Sequence, residues 1–179
     1  RIQALAVYLQ QGHYVAYNRI TQFFMETFGH SLSEGSLYNF NRRLYRILAP
    51  VEALIRRGLR RSAVLHFDET GMAVNSCLHW LQNMSNQRST LYVLHRRRGR
   101  AAWDDIGMLP GYAGTAIHDD YPPYYHYAFA KHGSCHAHHL RELRFVAEVE
   151  KETWAKQMKW CLLDMKESTD YFRQEGKKK

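Results

Sequence analysis

Two short apolar runs, each closed by an acid, constrain this chain more than any other feature. Ala63-Val64-Leu65-His66-Phe67 ends at Asp68, and Thr115-Ala116-Ile117-His118 ends at Asp119. Runs of this length, rich in β-branched and aromatic residues, read as strands rather than helices. A strand holds its side chains rigidly, so an acid at its end stands at the rim of a sheet. Taken singly, an acid in that place also simply opens a turn. If the two strands are neighbours, Asp68 and Asp119 can share divalent cations, because carboxylate oxygens are the hard donors that Mg²⁺ or Mn²⁺ prefer. Two such ions about 3.5–4 Å apart can activate a nucleophilic oxygen and stabilise a leaving 3′ oxygen in phosphodiester chemistry.

The sequence before these runs has a different period. Leu5, Val7, Tyr8 and Leu9 open a first helix that stops near Gln10-Gln11-Gly12. A second helix is expected over residues 18–28, with Ile20, Phe23, Phe24 and Phe28 at helical spacing, Asn18 as its cap and Gly29 as its left-handed stop. A third is expected from Ser36 to Ala49, with Leu37, Phe40, Leu44, Ile47 and Leu48 on one face. Pro50 punctuates it, and a further helix carries Leu54, Ile55 and Leu59. Helix, glycine-containing turn, helix is the pattern of a helix-turn-helix. Asn39, Asn41, Arg42 and Arg43 lie off the apolar face and are residue types that read bases or grip phosphates. An ordinary helical hairpin with a solvated basic face has the same pattern.

Charge narrows the partner. The 179 residues carry 25 Lys+Arg against 17 Asp+Glu, a formal +8 with neutral histidines, which points to a polyanion, most often nucleic acid. Between residues 42 and 61 lie Arg42, Arg43, Arg46, Arg56, Arg57, Arg60 and Arg61 against the single acid Glu52. A second cluster is Arg96, Arg97, Arg98 and Arg100. Two such runs in one small basic chain favour a phosphate-binding surface. An apolar fraction of 45% with 13% aromatics is enough for a core and argues against disorder.

Downstream, Leu78–Met84 and Thr90–Leu94 read as two further strands joined by a turn at Ser85-Asn86-Gln87-Arg88, giving three consecutive antiparallel strands. A helix follows near Arg100–Gly107, then the Thr115–His118 strand, then an aromatic stretch. One long amphipathic helix is expected over residues 137–172. These segments divide the chain into a helical, DNA-contacting part (residues 1–61), an α/β core (62–150), and a charged helix with a basic tail (151–179). Tyr121, Tyr124, Tyr125 and Tyr127 read as core rather than as a base-stacking patch.

Cys135-x-x-His138, with His136 and His139 beside it, invites a zinc reading, but a closed site needs a second pair, and Cys77 with His79 is poorly spaced for one. Cys77, Cys135 and Cys161 are too few for a disulfide framework and fit reduced thiols and a cytoplasmic location. No apolar run reaches the roughly 18 residues of a membrane span. No Gly-x-Ser-x-Gly is present to suggest a serine nucleophile.

These words, in this order, resemble the DDE transposases of bacterial insertion sequences, and within them the insertion sequence sixty-six family. The matching stretches are Leu32 to Leu37, Leu48-Ala49-Pro50, His66 to Gly71, Leu78 to Leu81, Leu91-Tyr92 with Arg97-Arg98-Gly99, His118-Asp119 with Tyr121 to Tyr124, and Cys135 to Leu143. The resemblance implies an RNase H-like mixed sheet flanked by helices. It also implies Mg²⁺- or Mn²⁺-dependent cleavage of transposon-end DNA, with joining of the freed 3′ hydroxyl to a target. Double-stranded DNA would be the partner and homo-oligomers the working form. Asp68 matches the first catalytic acid and Asp119 the second, in preference to Asp120. Glu69 is expected to be a local hydrogen-bonding partner. Cys135 and His138 are expected to pack near the acids at the end of a fifth strand, His138 close to the substrate phosphate. Arg141 is a phosphate contact or, equally, a helix-surface arginine paired with a glutamate.

One departure bears on activity. The family's third acid is a Glu on a late helix after an Asn-Asn pair, and no Asn-Asn occurs here. Glu142, Glu148, Glu150 and Glu152 lie too near Asp119 to match it. The expectation is a transposase fragment holding two of three acids, with weak metal binding and little catalysis by itself. The alternative is a catalytically inactive DNA-binding remnant or regulator of the same fold, and a weaker third is a zinc-stabilised DNA-binding module.

Overall fold

The computed structural model describes residues 1–176. The expected basic tail at residues 177–179 lies outside them. The chain divides into two compact units, residues 1–55 and Arg56 onward. The described residues form six α-helices and one five-stranded sheet.

The first unit is helical. Helix α1 spans Ile2–His13, α2 spans Tyr17–Phe28, and α3 begins at Glu34. Ala6, Ile20, Phe24 and Leu37 form its buried centre, flanked by Leu9, Val15, Tyr17, Leu32 and Phe40. Gly29 ends α2 in the left-handed conformation (φ 60°); its N–H donates to the Met25 carbonyl and the next N–H, of His30, to that of Phe24. Asn18 does not cap α2. The helix begins at Tyr17, and Asn18 Oδ1 accepts the neighbouring Arg19 N–H. The side-chain cap belongs to α3, where Ser33 Oγ accepts the Ser36 N–H at 3.0 Å.

Pro50 does not divide α3, which runs unbroken from Glu34 to Arg60. A proline in mid-helix costs about 3 kcal/mol through its missing N–H and its ring. Here long helical arms on both sides keep the backbone in register across it.

In the second unit the strands are β1 (Val64–Val74), β2 (Cys77–Ser85), β3 (Thr90–His95), β4 (Thr115–His118) and β5 (Lys131–Ser134). Their order in the sheet is β3-β2-β1-β4-β5. The first three pair antiparallel, while β4 pairs parallel with β1 and β5 parallel with β4. The sheet is therefore mixed, and its order is compatible with an RNase H-like core. Strand β1 is longer than its apolar run suggests. It passes through Asp68 into a tight hairpin whose corner, Asn75-Ser76, has φ of 50° and 60°, the geometry of a type I′ turn.

One face of the sheet is the core. Leu65, Phe67, Met84, Leu91 and Ala116 are buried there beneath α4 (Arg100–Ile106) and the residues after it. Trp103 meets Phe67 edge-on at 5.5 Å, and the Tyr112 hydroxyl donates to the Ser62 carbonyl at 2.9 Å. A 3-10 turn over Pro122–His126 sets Tyr124 against the same core. The opposite face carries His66 and Asp68 and leaves Val64, Tyr92 and Leu94 exposed.

The long C-terminal helix is two helices, α5 (His136–Glu148) and α6 (Thr153–Gln174), packed on each other. Lys151 makes the corner with φ 60°. Without glycine or proline at the corner, only the packing of α5 on α6 reveals it.

Candidate active site

Strand pairing brings the two segments that carry the acids side by side. His66 bridges to Ile117 in the last pair of the parallel β1–β4 ladder. Two residues further along each chain stand Asp68 and Asp119. Asp68 continues the parity of His66, opposite to the buried Phe67, while Asp119 directly follows His118, the last residue of β4, and the charges of both acids reach the Tyr124 hydroxyl. Neighbouring strands are about 4.8 Å apart. Asp68 is not at the end of β1. It sits where β4 leaves β1's side, so the ladder opens at that point and exposes its carboxylate. The crevice beyond the carboxyl ends of parallel strands is where open α/β sheets place ligands.

The surroundings distinguish the four acids. The Asp68 side chain is half exposed, with His138 Nε2 4.0 Å from its Oδ1. Asp119 Oδ1 accepts the Tyr121 N–H at 3.1 Å. Asp120 is turned away by a left-handed backbone (φ 64°) and is heavily engaged. Hydrogen bonds from Tyr125 and Ser134 hold its carboxyl below the usual range, and His139 Nε2 lies 3.8 Å away.

Glu69 faces the other way. Its side chain, 1% exposed, accepts Arg98 Nε at 3.0 Å and the Tyr124 hydroxyl. Burial pushes the Glu69 carboxyl up, against these two donors. The Arg98 guanidinium lies over two rings, 4.0 Å from the Tyr121 centroid and 4.8 Å from that of Trp80. Glu69, Arg98, Trp80, Tyr121 and Tyr124 thus form a clamp behind the acids. Burial and the charges of Glu69, Asp119 and Asp68 push the Tyr124 hydroxyl far up, so it stays a donor.

The basic residues separate into groups. Arg42 and Arg43, with Asn39, Arg46 and Ile47, line a concavity of about 460 Å³ on α3. After β3, Arg97 pairs with Asp105 at 2.7 Å and Arg100 with Asp104 at 3.5 Å, while Arg96 is exposed. Arg98 is committed to the clamp. Arg141 is exposed on α5.

Cys135 precedes α5, and its carbonyl accepts the His138 N–H at 3.0 Å. His138 Nδ1 is buried without a hydrogen-bond partner among the described residues. Among those residues no three His, Cys, Asp or Glu side chains are grouped to hold a metal. No described helix is long and apolar enough to cross a membrane.

Sequence reasoning missed the clamp, the Asp120 contacts and His132. The signals were faint: an arginine among other arginines, and a histidine in a four-residue strand.

Residues 1–179 match the family described as "Transposase IS66 family". No curated protein matches the chain. The mixed sheet is compatible with the fold this family implies, and the match covers the whole chain: the protein belongs to the IS66 family of transposases.

Proposed function

We propose that this chain carries acids for metal-dependent cleavage and strand transfer of insertion-sequence DNA, on an RNase H-like core. What supports the reading is that Asp68 and Asp119 each follow by two residues the last pair of the parallel β1–β4 ladder, His66 and Ile117.

The donor set fits a hard cation. Asp68 is half exposed, and Asp119 Oδ2 is left to act beside the engaged Oδ1. Mg²⁺ is commonly held by one or two carboxylates together with substrate phosphates. When bound, such an ion activates water and neutralises charge at the scissile phosphate. The chain's residues do the rest. Tyr121 N–H orients Asp119, and His138 stands ready to donate to Asp68 or to a phosphate oxygen. The Glu69 clamp holds the backbone behind both acids. Arg42, Arg43 and Arg46 on α3 grip double-stranded DNA, and Arg96 and Arg141 add contacts.

A second reading is an inactive DNA-binding remnant. It is favoured by the diversion of Glu69 and Asp120 into side-chain bonds, which leaves Asp68 and Asp119, each accepting one backbone N–H, as the two candidate ligands rather than three. Calorimetric titration with Mn²⁺ decides between them. The first reading expects binding by the native chain that is lost in Asp119→Asn. Intact DNA affinity with no Mn²⁺ binding in either protein establishes the second.

A further inference from the structure

We propose that His118 and His132 form a relay of fixed tautomers that sets the turn carrying Asp119, and that both are positioning residues for the acid pair. The inference rests on the reading of Asp119 as a metal-holding acid, but its geometry stands by itself.

The Asp120 backbone N–H donates to His118 Nδ1 at 3.1 Å. A ring nitrogen that accepts carries no hydrogen, so the hydrogen of His118 is on Nε2. That atom lies 3.0 Å from His132 Nδ1, to which it donates. His132 Nδ1 is then bare, and its hydrogen is on Nε2, 3.3 Å from the Tyr127 carbonyl oxygen, which can only accept. An amide at one end and a carbonyl at the other leave one assignment of hydrogens along the whole chain.

The rings are held in place. His118 is fully buried and stacked on Tyr124, with centroids 4.5 Å apart and planes within 7°. The edge of Tyr125 lies 5.1 Å from it, and Tyr125 also tilts against His132 at 4.9 Å. With both nitrogens occupied and no exposure, His118 neither ligates a cation nor moves substrate protons. The relay instead ties the residue after Asp119 to β5 and to the Tyr127 loop. Asp120 is held in its left-handed conformation, and the direction in which the chain leaves β4 is set. Asp119 itself has one backbone hydrogen bond to orient it, so its aim depends on that direction.

The test uses the 179-residue chain with ¹⁵N-labelled histidine. In the native protein NMR should show both Nδ1 atoms unprotonated and both Nε2 atoms protonated. His132→Phe keeps a ring against Tyr125 and removes the acceptor. It should weaken Mn²⁺ binding by about tenfold, as loss of an outer-shell partner typically does. His132→Asn returns an acceptor oxygen in place of Nδ1 and should recover most of that affinity with the His118 tautomer unchanged. A native tautomer mixture, Mn²⁺ binding by His132→Phe equal to native, or no rescue by His132→Asn would each overturn the proposal. If the native chain binds no Mn²⁺ at all, the metal reading of Asp119 fails separately. The relay is then decided by exchange of the Asp120 amide hydrogen. Faster exchange in His132→Phe, or in His132→Ala should the Phe variant not fold, supports it, and unchanged exchange overturns it.

Discussion

Replacing Arg98 by Met tests whether the clamp behind the acids is an electrostatic device. Methionine keeps much of the stem but removes the charge that faces Glu69, whose side chain is 1% exposed against 35% for Arg98. Removing one partner of a buried pair typically costs about 3–5 kcal/mol. The partial exposure of Arg98 lowers this to about 2–3 kcal/mol. Loss of the contacts over Tyr121 and Trp80 restores about 0.5–1 kcal/mol to the total. A loss near 3 kcal/mol corresponds to a fall in melting temperature of about 6–12 °C for a chain of this size. The fall must depend on pH. Burial already raises the Glu69 pKa, so its charge is a liability that grows as pH rises through the unfolded value towards the folded one. Without Arg98 the folded value rises further, and Glu69 at low pH escapes the penalty by taking a proton. Thermal unfolding at pH 5 and pH 8 should therefore show the larger loss at pH 8. Adding Glu69→Gln, which can still accept from Tyr124, should return most of it. Equal losses at the two pH values, or a double variant no more stable than Arg98→Met, would refute the reasoning.

The remaining expectations concern the α3 surface and the Asp120 turn. Simultaneous Arg42→Ala, Arg43→Ala and Arg46→Ala should weaken duplex binding across unrelated sequences. It should also flatten the salt dependence of log K by about 0.9 per lost phosphate contact, measured by fluorescence anisotropy from low to physiological salt. An unchanged slope would remove α3 from the interface. Tyr125→Phe deletes the first of the hydrogen bonds that depress the Asp120 pKa. A depressed carboxyl contributes stability that is present above its unfolded pKa and lost as pH falls through the folded one. The variant should therefore be less stable than the native chain at neutral pH, where Asp120 is ionised, and the difference should shrink as pH falls through the folded pKa in denaturant unfolding followed by circular dichroism; an equal loss at every pH would refute it.

What the sequence determined by itself was local. Side-chain period placed α2, β2, β3, α4 and β4 within a residue or two and found α1 without its first turn, because alternation and helical spacing are properties of neighbouring residues. Gly29 ended its helix because only the backbone beside it had to be considered. The family words singled out Asp68 and Asp119 and set Asp119 before Asp120. Tertiary structure decided the rest. Pro50 looked like a helix end, yet α3 continues through it, since the cost of one proline is borne by the arms on either side. Nothing in residues 149–152 marks a corner, but the packing of α6 on α5 puts one there. Glu69 follows Asp68 in sequence and faces the opposite side of the sheet, a difference that strand parity makes and composition cannot show. Asp68 and Asp119, 51 positions apart, both follow the same end of one ladder only because β4 pairs parallel with β1 in one register. A shift of one residue would turn one acid into the core and leave no pair.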